Sequence, residues 1–424
     1  MPAPPAAIAA RLRRWPAPIW TLLAGTFLVR GLGFSYPFLP YRLHDLHLDT
    51  RTVSTVLAVF GGGWLLGSIV CGWLADRIGH RATLITAMLL AGASLPLLAQ
   101  AAALPALFAA TFTAGAVYDA ARPVVTAAIA DAFPDDGVRA SVNAWRHFCV
   151  NAGAAVAGTA GGMLAGPLGI PALMRINAAA CVLFAFLVWH FLPAGKPEPR
   201  TTGPHEYRAA LTDRGLWLLL LTSLCALTCI ASLFSALPML MAQDGLTAAD
   251  YGWTQTTAAA AVLVISPPLN RWLTRHCEGG TPMTYLLAVS SALLGTSLGA
   301  AALASTTPDY SAAAALAVPG EVMVFVAASD ILNRLAPPTA RGLYAGVWGT
   351  TLAAAIIIAP TLAGWALGHG GDQLAAATIF TVGLLGAALA WPLAGLVRLA
   401  ELQHPITLPP TTTAVPGAET PKEA

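Results

Sequence analysis

Charged side chains in this chain are separated by long apolar runs. Residues 52–75, 82–118, 147–174, 176–195, 215–243, 251–270, 279–308, 342–371 and 373–397 contain no Asp, Glu, Lys or Arg. A helix needs roughly 20 apolar residues to cross a bilayer core. Most of these runs therefore fit one crossing, and 82–118 must hold most of two. Turn residues and charges divide the chain into twelve expected helices, at about 19–40, 53–75, 82–101, 104–130, 141–166, 171–192, 216–242, 253–273, 282–303, 312–334, 342–368 and 373–398. The fold class this predicts is an all-α membrane protein with twelve transmembrane helices in two pseudo-symmetric six-helix bundles.

The divisions follow the same pattern. Residues 1–18 form an N-terminal tail, 19–193 the first bundle, 194–215 a polar linker, 216–398 the second bundle, and 399–424 a disordered tail rich in Pro and Thr. An offset of about 197 residues sets Ile19 against Leu216 and the 76–81 loop against 273–278. The connections after the fourth and tenth spans also look alike, with Pro134, Arg139 and Trp145 against Pro337, Arg341 and Trp348. Such internal symmetry is what a duplicated transporter would carry.

Composition strengthens the membrane assignment. The 424 residues are 57% hydrophobic and 10% charged, against about 25% charged in ordinary soluble domains. That is too little charge to cover two or three soluble domains, and a net charge of +2 leaves no nucleic-acid footprint. Lys and Arg gather on one set of loops, among them Arg11, Arg13, Arg14, Arg77, Arg81, Arg139, Lys196, Arg214, Arg271, Arg334 and Arg398, while the other set has only Arg42 and Arg51. The positive-inside rule then places both termini in the cytoplasm of a multi-pass protein of the cytoplasmic membrane. The apolar stretch nearest the N-terminus is interrupted by Arg30, lacks a small-residue cleavage site, and reads as a span rather than a signal peptide. The six cysteines show no metal-binding or disulfide spacing, and His44 with His47 is too sparse for a metal site. No phosphate-cradling G-x-x-x-x-G-K-S/T loop is visible, so ATP does not drive this protein directly. Neither a cofactor nor a metal is expected, and the chain reads as a monomer in lipid rather than an enzyme.

The loop after the second span carries the most specific pattern, Gly72-Trp-Leu-Ala-Asp76-Arg77-Ile-Gly79-His80-Arg81-Ala-Thr-Leu84. Gly72 permits close helix approach and Gly79 a tight turn. Asp76 is a carboxylate at a helix C-terminus, which the helix dipole disfavours unless it is paired. This loop resembles the G-x-L-x-D-R-x-G-R-R-x-x-L signature of the major facilitator superfamily, at the same place between the second and third spans. The resemblance implies that Asp76 meets basic groups and the start of the eleventh span in one gating state, with Arg77, Arg81 and Arg139 in the same breakable latch. His80 departs from the pattern, standing where a fixed cation is usual.

Two further stretches look familial. Asn151 to Gly162 on the fifth span, with Gly153, Gly158, Gly161 and Gly162, is similar to the glycine-rich element of the superfamily's antiporters, although Thr159 holds its proline position. It reads equally as a generic close-packing face. Arg30-Gly-Leu-Gly-Phe-Ser-Tyr-Pro37-Phe-Leu-Pro40 is similar to the opening helix of drug-exporting, drug:proton antiporter-type members, and the two prolines would bend its outer end.

Ionisable groups inside a span are costly and mark functional sites by default. Here they are Arg30, Asp119, Arg122, Arg146 and Glu321. The resemblance directs these residues, with Asn151, into a central cavity lined by the first, fourth, seventh and tenth spans. Asp119 and Arg122 share a helix face, and a pair whose separation changes between states can take up and release a proton. Asp119 or Glu321 is accordingly the candidate coupling acid, the alternative being a permanent Asp119–Arg122 pair. Arg146 and Asn151 either contact substrate or tie the fourth and fifth spans together. Asp330 and His190 read as structural, and His147 stays open. Trp64, Trp348 and Trp365 lie farther inside than the other tryptophans, where they either pack the core or stack on a ligand. The expectation that follows is a secondary transporter working by alternating access, exporting small hydrophobic or amphipathic molecules in exchange for protons. The alternative is an uptake symporter or facilitator for a polar or anionic metabolite.

Overall fold

The computed structural model of the chain describes residues 15–118, 121–132, 136–194, 210–278, 283–337 and 340–403. The described residues are helical apart from short turns and connections. Thirteen helices follow one another in the order α1 (Ala17–Gly31), α2 (Leu39–Asp45), α3 (Thr50–Gln100), α4 (Leu104–Tyr118), α5 (Arg122–Ala132), α6 (Asp136–Leu168), α7 (Ile170–Phe191), α8 (Arg214–Ser232), α9 (Ala236–Gln243), α10 (Ala248–Glu278), α11 (Thr284–Ala301), α12 (Thr307–Leu335) and α13 (Arg341–Gln403). Eight helical segments among the described residues are long and apolar enough to cross a membrane.

Local chemistry sets the starts of several helices. Asp49 caps α3, its carboxylate accepting from the Thr52 amide at 3.1 Å and the Thr52 hydroxyl at 2.6 Å. These hydrogen bonds hold the exposed Asp49 carboxyl below its ordinary pKa. Asp213 caps α8 through the amides of Gly215 and Leu216. Its other oxygen accepts from the Tyr344 hydroxyl of α13 at 2.7 Å.

Two helices are too long for one crossing. At about 1.5 Å per residue, the 51 residues of α3 extend for more than twice a ~30 Å hydrocarbon core. Both long helices are interrupted where the expected loops fall, α3 at Gly79 (φ 84°) and α13 at Gly371 (φ 59°). A side chain at either position would be strained, because only glycine enters this region freely.

Two expected spans are broken instead of continuous. The first stops at Gly31 and resumes at Leu39, and the seventh stops at Ser232 and resumes at Ala236. The first break therefore falls before Pro37 and Pro40, which sit in the turn and at the start of α2. The helix starts on either side of the first and seventh breaks are 197 residues apart, Ala17 against Arg214 and Leu39 against Ala236.

Helices from residues 17–191 pack on one another, as do those from 214–403. The most extensive contacts between the two sets are α3 on α13 and α6 on α10, with α2 touching α9. These contacts concentrate at one end of the molecule. Ser54 and Gly61 of α3 meet Gly364 and Ile356–Ile357 of α13. Along α6, the Thr159 hydroxyl lies 2.7 Å from that of Thr256, and a Cβ on Gly162 would lie 2.7 Å from the Gly252 Cα. Tyr251 of α10 is fully buried against Phe38 and Tyr41, with ring centroids 5.5 and 6.0 Å away, and Gln243 donates to the Thr50 hydroxyl.

The backbones at this seam approach closely where glycines such as Gly61, Gly162, Gly252 and Gly364 stand at the contact, the same device that brings membrane helices together in general. Gly162→Val should therefore weaken this conformation by about 1–3 kcal/mol through overpacking. Gly166→Val, where a Cβ meets nothing within 4 Å, should not. Thermal unfolding midpoints in detergent check the pair; equal midpoints would remove the seam from the stability of this state.

Candidate functional site

Three arginines come from the N-terminal set of helices. Arg30 lies at the end of α1 just before its break, Arg122 is the first residue of α5, and Arg146 is on α6. All three are partly buried. Arg30 and Arg146 lie within electrostatic reach of each other. A Cβ on Gly153 would lie 2.6 Å from the Arg30 Cβ and 3.0 Å from the Gly31 nitrogen, so that glycine lets α6 close onto α1. The Arg146 Nε is buried with no hydrogen-bond partner among the described residues. A buried donor left unmade is costly, and like charges brought together in a low-dielectric region add to that cost. An anionic group lodged here would relieve both.

Hydrogen bonds hold the framework around these arginines. The Tyr118 hydroxyl, at the end of α4, donates to the Val29 carbonyl at 3.0 Å. The break after α1 is held from α7, where the fully buried Asn177 Oδ1 accepts from the Ser35 hydroxyl (2.7 Å) and amide (3.3 Å). Arg122 is stacked on Trp64 of α3, its guanidinium carbon 4.9 Å from the ring centroid. Asn151 shares α6 with Arg146 and Gly153. Asp119 lies outside the described residues, as do the side chains of Arg139 and His147.

The C-terminal set presents a different chemistry. Glu321 on α12 is partly buried, and its carboxylate has no hydrogen bond or ion pair among the described residues. No other Asp, Glu, Lys or Arg occurs in 215–243, 251–270, 279–308 or 342–371. One helical turn from Glu321, Phe325 packs edge-on to Trp348 (centroids 6.3 Å, 86°), whose indole donates to the Ser223 hydroxyl at 3.0 Å. Asp330 serves the helix end, accepting from Arg334 Nε at 2.9 Å and the Met283 amide at 3.3 Å. Trp365 departs from expectation. It is 51% exposed and stacks on His369, because its face of α13 points away from the other helices.

The signature loop lies at the end opposite the seam. Asp76 is exposed and makes no ion pair among the described residues, and Arg77 stacks on Trp73 of its own helix at 4.2 Å. Arg81 donates to the Trp189 carbonyl, and His80 Nε2 lies 2.7 Å from an Asp131 carboxylate oxygen. The loop is thus tied to α5 and α7 of its own set, and among the described residues Asp76 has no contact with the eleventh span. Gly72 likewise faces open space rather than a packed helix. Of the fifth-span glycines, Gly158 and Gly162 meet Gln255 and Gly252 of α10, while Gly153 meets α1. Sequence reading missed Tyr118, Asn177 and Tyr251, whose roles depend on which freed carbonyl or amide lies opposite.

Tyr118→Phe should cost about 0.5–1.5 kcal/mol by leaving the part-buried Val29 carbonyl without its side-chain donor. A thermal midpoint unchanged from wild type in detergent would show that the bond holds nothing together.

Known proteins share this arrangement of helices. A POT family transporter solved with a thioalcohol-conjugated peptide superposes with a TM-score of 0.76 at 14% identity, over 90% of this chain and 96% of that one. A POT family transporter solved with 5-aminolevulinic acid gives 0.76 at 14% identity, over 91% and 97%. The peptide transporter POT solved with sulfate gives 0.74 at 16% identity, over 91% and 95%. At these identities the likeness shows the fold. A comparison with curated proteins finds no match. The drug-exporter subtype finds no support in these comparisons, whereas the family model described as Major Facilitator Superfamily matches residues 20–247 and 219–419. The sequence match and the shared fold extend over nearly the whole chain, which belongs to the Major Facilitator Superfamily.

Proposed function

We propose that this protein is a secondary active transporter that takes up a small polar solute bearing an acidic group, by proton-coupled alternating access. The observation that carries this reading is the division of charge in the interior, with Arg30, Arg122 and Arg146 in the N-terminal half and Glu321, which has no partner among the described residues, in the C-terminal half. Three partly buried guanidinium groups are costly beside an apolar cargo and favourable beside a carboxylate or phosphonate. Glu321 is the coupling acid in this scheme, with Asp119 the second candidate. Each can alternate between a proton and a cationic partner as the halves rock.

The same reading takes the chain as twelve spans in two six-helix halves joined by 194–215. Counting each glycine-broken helix as two crossings brings the eight apolar segments to ten, and α1 and α10 complete the set. With both termini cytoplasmic, the sealed seam faces outward and the exposed Asp76 loop faces inward, which corresponds to an inward-open state. Transporters of similar fold support a polar cargo, since those solved with sulfate and 5-aminolevulinic acid hold acidic ligands. Export of hydrophobic compounds, the reading suggested by the first span, would set an apolar cargo beside these guanidinium groups.

Uptake into proteoliposomes tests this, with labelled 5-aminolevulinic acid, a dipeptide and a dicarboxylate as probes under an inward proton gradient. At least one acid-bearing probe should accumulate at least tenfold above the gradient-free level. Glu321→Gln should abolish gradient-driven accumulation while leaving solute exchange across the membrane intact. Gradient-driven extrusion of a lipophilic cation, with no probe taken up, would replace this reading with export.

A further inference from the structure

The short helix α2 lies at the sealed seam and buries two polar atoms that are left unmet. Tyr41 is 6% exposed, and its hydroxyl has no hydrogen-bond partner among the described residues. The Nε of its neighbour Arg42 is buried in the same condition. The rest of the helix fits the seam closely. Leu39 and Leu43 are fully buried, and the Tyr41 ring packs on Tyr251 of the other half with centroids 6.0 Å apart. Packing thus holds α2 in place, while these two polar atoms gain nothing from closure.

The acids on the far side of the seam are engaged within their own half. Asp250 lies within electrostatic reach of Tyr41. Its Oδ2 accepts from the Thr247 amide (2.8 Å) and hydroxyl (2.6 Å), and its Oδ1 from the Thr307 hydroxyl at 2.9 Å. Asp244 accepts from the Tyr310 hydroxyl at 2.8 Å. Tyr251 makes the contrast, since its hydroxyl donates to the Leu233 carbonyl at 3.2 Å. Of two tyrosines in ring contact across the seam, one has its hydroxyl met and the other does not. A buried donor without an acceptor carries the full cost of its dehydration, and regains it when water returns. We propose that α2 is the release element of the seam: its unmet hydroxyl and guanidinium nitrogen raise the free energy of the sealed state, and Tyr41 sets the balance between sealed and open. The inference rests on the reading that this seam opens during transport, and it is independent of the cargo and its direction. Its test uses no solute, so its failure is distinguishable from failure of the uptake assay.

The test is the reaction of N-ethylmaleimide with Ser54→Cys in the purified full-length protein, followed site by site with peptide mass spectrometry. Ser54 is 4% exposed and meets Gly364 across the seam. The introduced thiol therefore reacts through the open state, at a rate that tracks its population. In this background Tyr41→Phe should slow the reaction about fivefold or more, because the unmet hydroxyl is gone. Tyr251→Phe should quicken it about threefold, because the Leu233 carbonyl then keeps only Gln255 at 3.4 Å. Should Tyr41→Phe fail to purify, 4-fluorophenylalanine at position 41 fills the hydroxyl's space without donating and should slow the reaction likewise. Cys225, which packs on Gly386 inside the C-terminal set, should react within twofold in every variant. An unchanged or faster reaction of the introduced thiol on loss of the Tyr41 hydroxyl would overturn the proposal. So would slowing by both substitutions, which would mean that losing any hydroxyl tightens the seam. A parallel change at Cys225 would also overturn it, as a change in the helices at large.

Discussion

A helix that breaks inside hydrocarbon exposes backbone carbonyls and amides that lipid cannot satisfy, so each break must be answered by a side chain from a neighbouring helix. This constraint organises the interior. The break after α1 is answered by Asn177 on α7 and by Tyr118 on α4, which reach Ser35 and the Val29 carbonyl. The break after α8 leaves the Leu233 carbonyl to the Tyr251 hydroxyl at 3.2 Å and to Gln255 at 3.4 Å. One of the partly buried arginines flanks such an interruption, Arg30 just before the break after α1. Irregular backbone and a costly charge occur together there, each tolerated because the site is walled by protein.

The second organising feature is the inequality of the two ends. At one end, glycines and hydroxyl groups let α6 meet α10 and α3 meet α13 at backbone distance, and Tyr251 fills the space beside Phe38 and Tyr41. At the other, the signature loop contacts only its own set of helices and Asp76 faces outward. A carboxylate at a helix C-terminus gains little where it stands, which suits a group whose partner belongs to another conformation. In the proposed transport cycle the seam and the latch are alternatives. The seam depends on small side chains and shape, and the latch depends on charge.

How much of this was legible beforehand depended on the range of the interaction involved. The turn at Gly79, the separation of Arg30, Arg122, Arg146 and Glu321 from the surface charges, and the close-packing glycines of the fifth span were all visible in residue type and spacing. The interruption of the first and seventh spans was not, because apolar periodicity is the same on both sides of a break. Nor was the orientation of Trp64, Trp348 and Trp365. One stacks on a guanidinium, one donates to a hydroxyl and one faces outward, although all three lie in similar apolar surroundings in the sequence.

By itself, then, the sequence determined that this is a helical membrane protein with charges at a few interior positions, since burying charge in lipid is costly enough to make every exception conspicuous. Its signature loop and glycines also carried the superfamily. Only the tertiary structure decided which helices break, which side chains answer the freed backbone groups, and which end of the molecule is closed. Those outcomes rest on contacts between residues often more than a hundred positions apart, such as Ser35 with Asn177 and Arg122 with Trp64 at a shorter separation. Local spacing carries no information about such contacts.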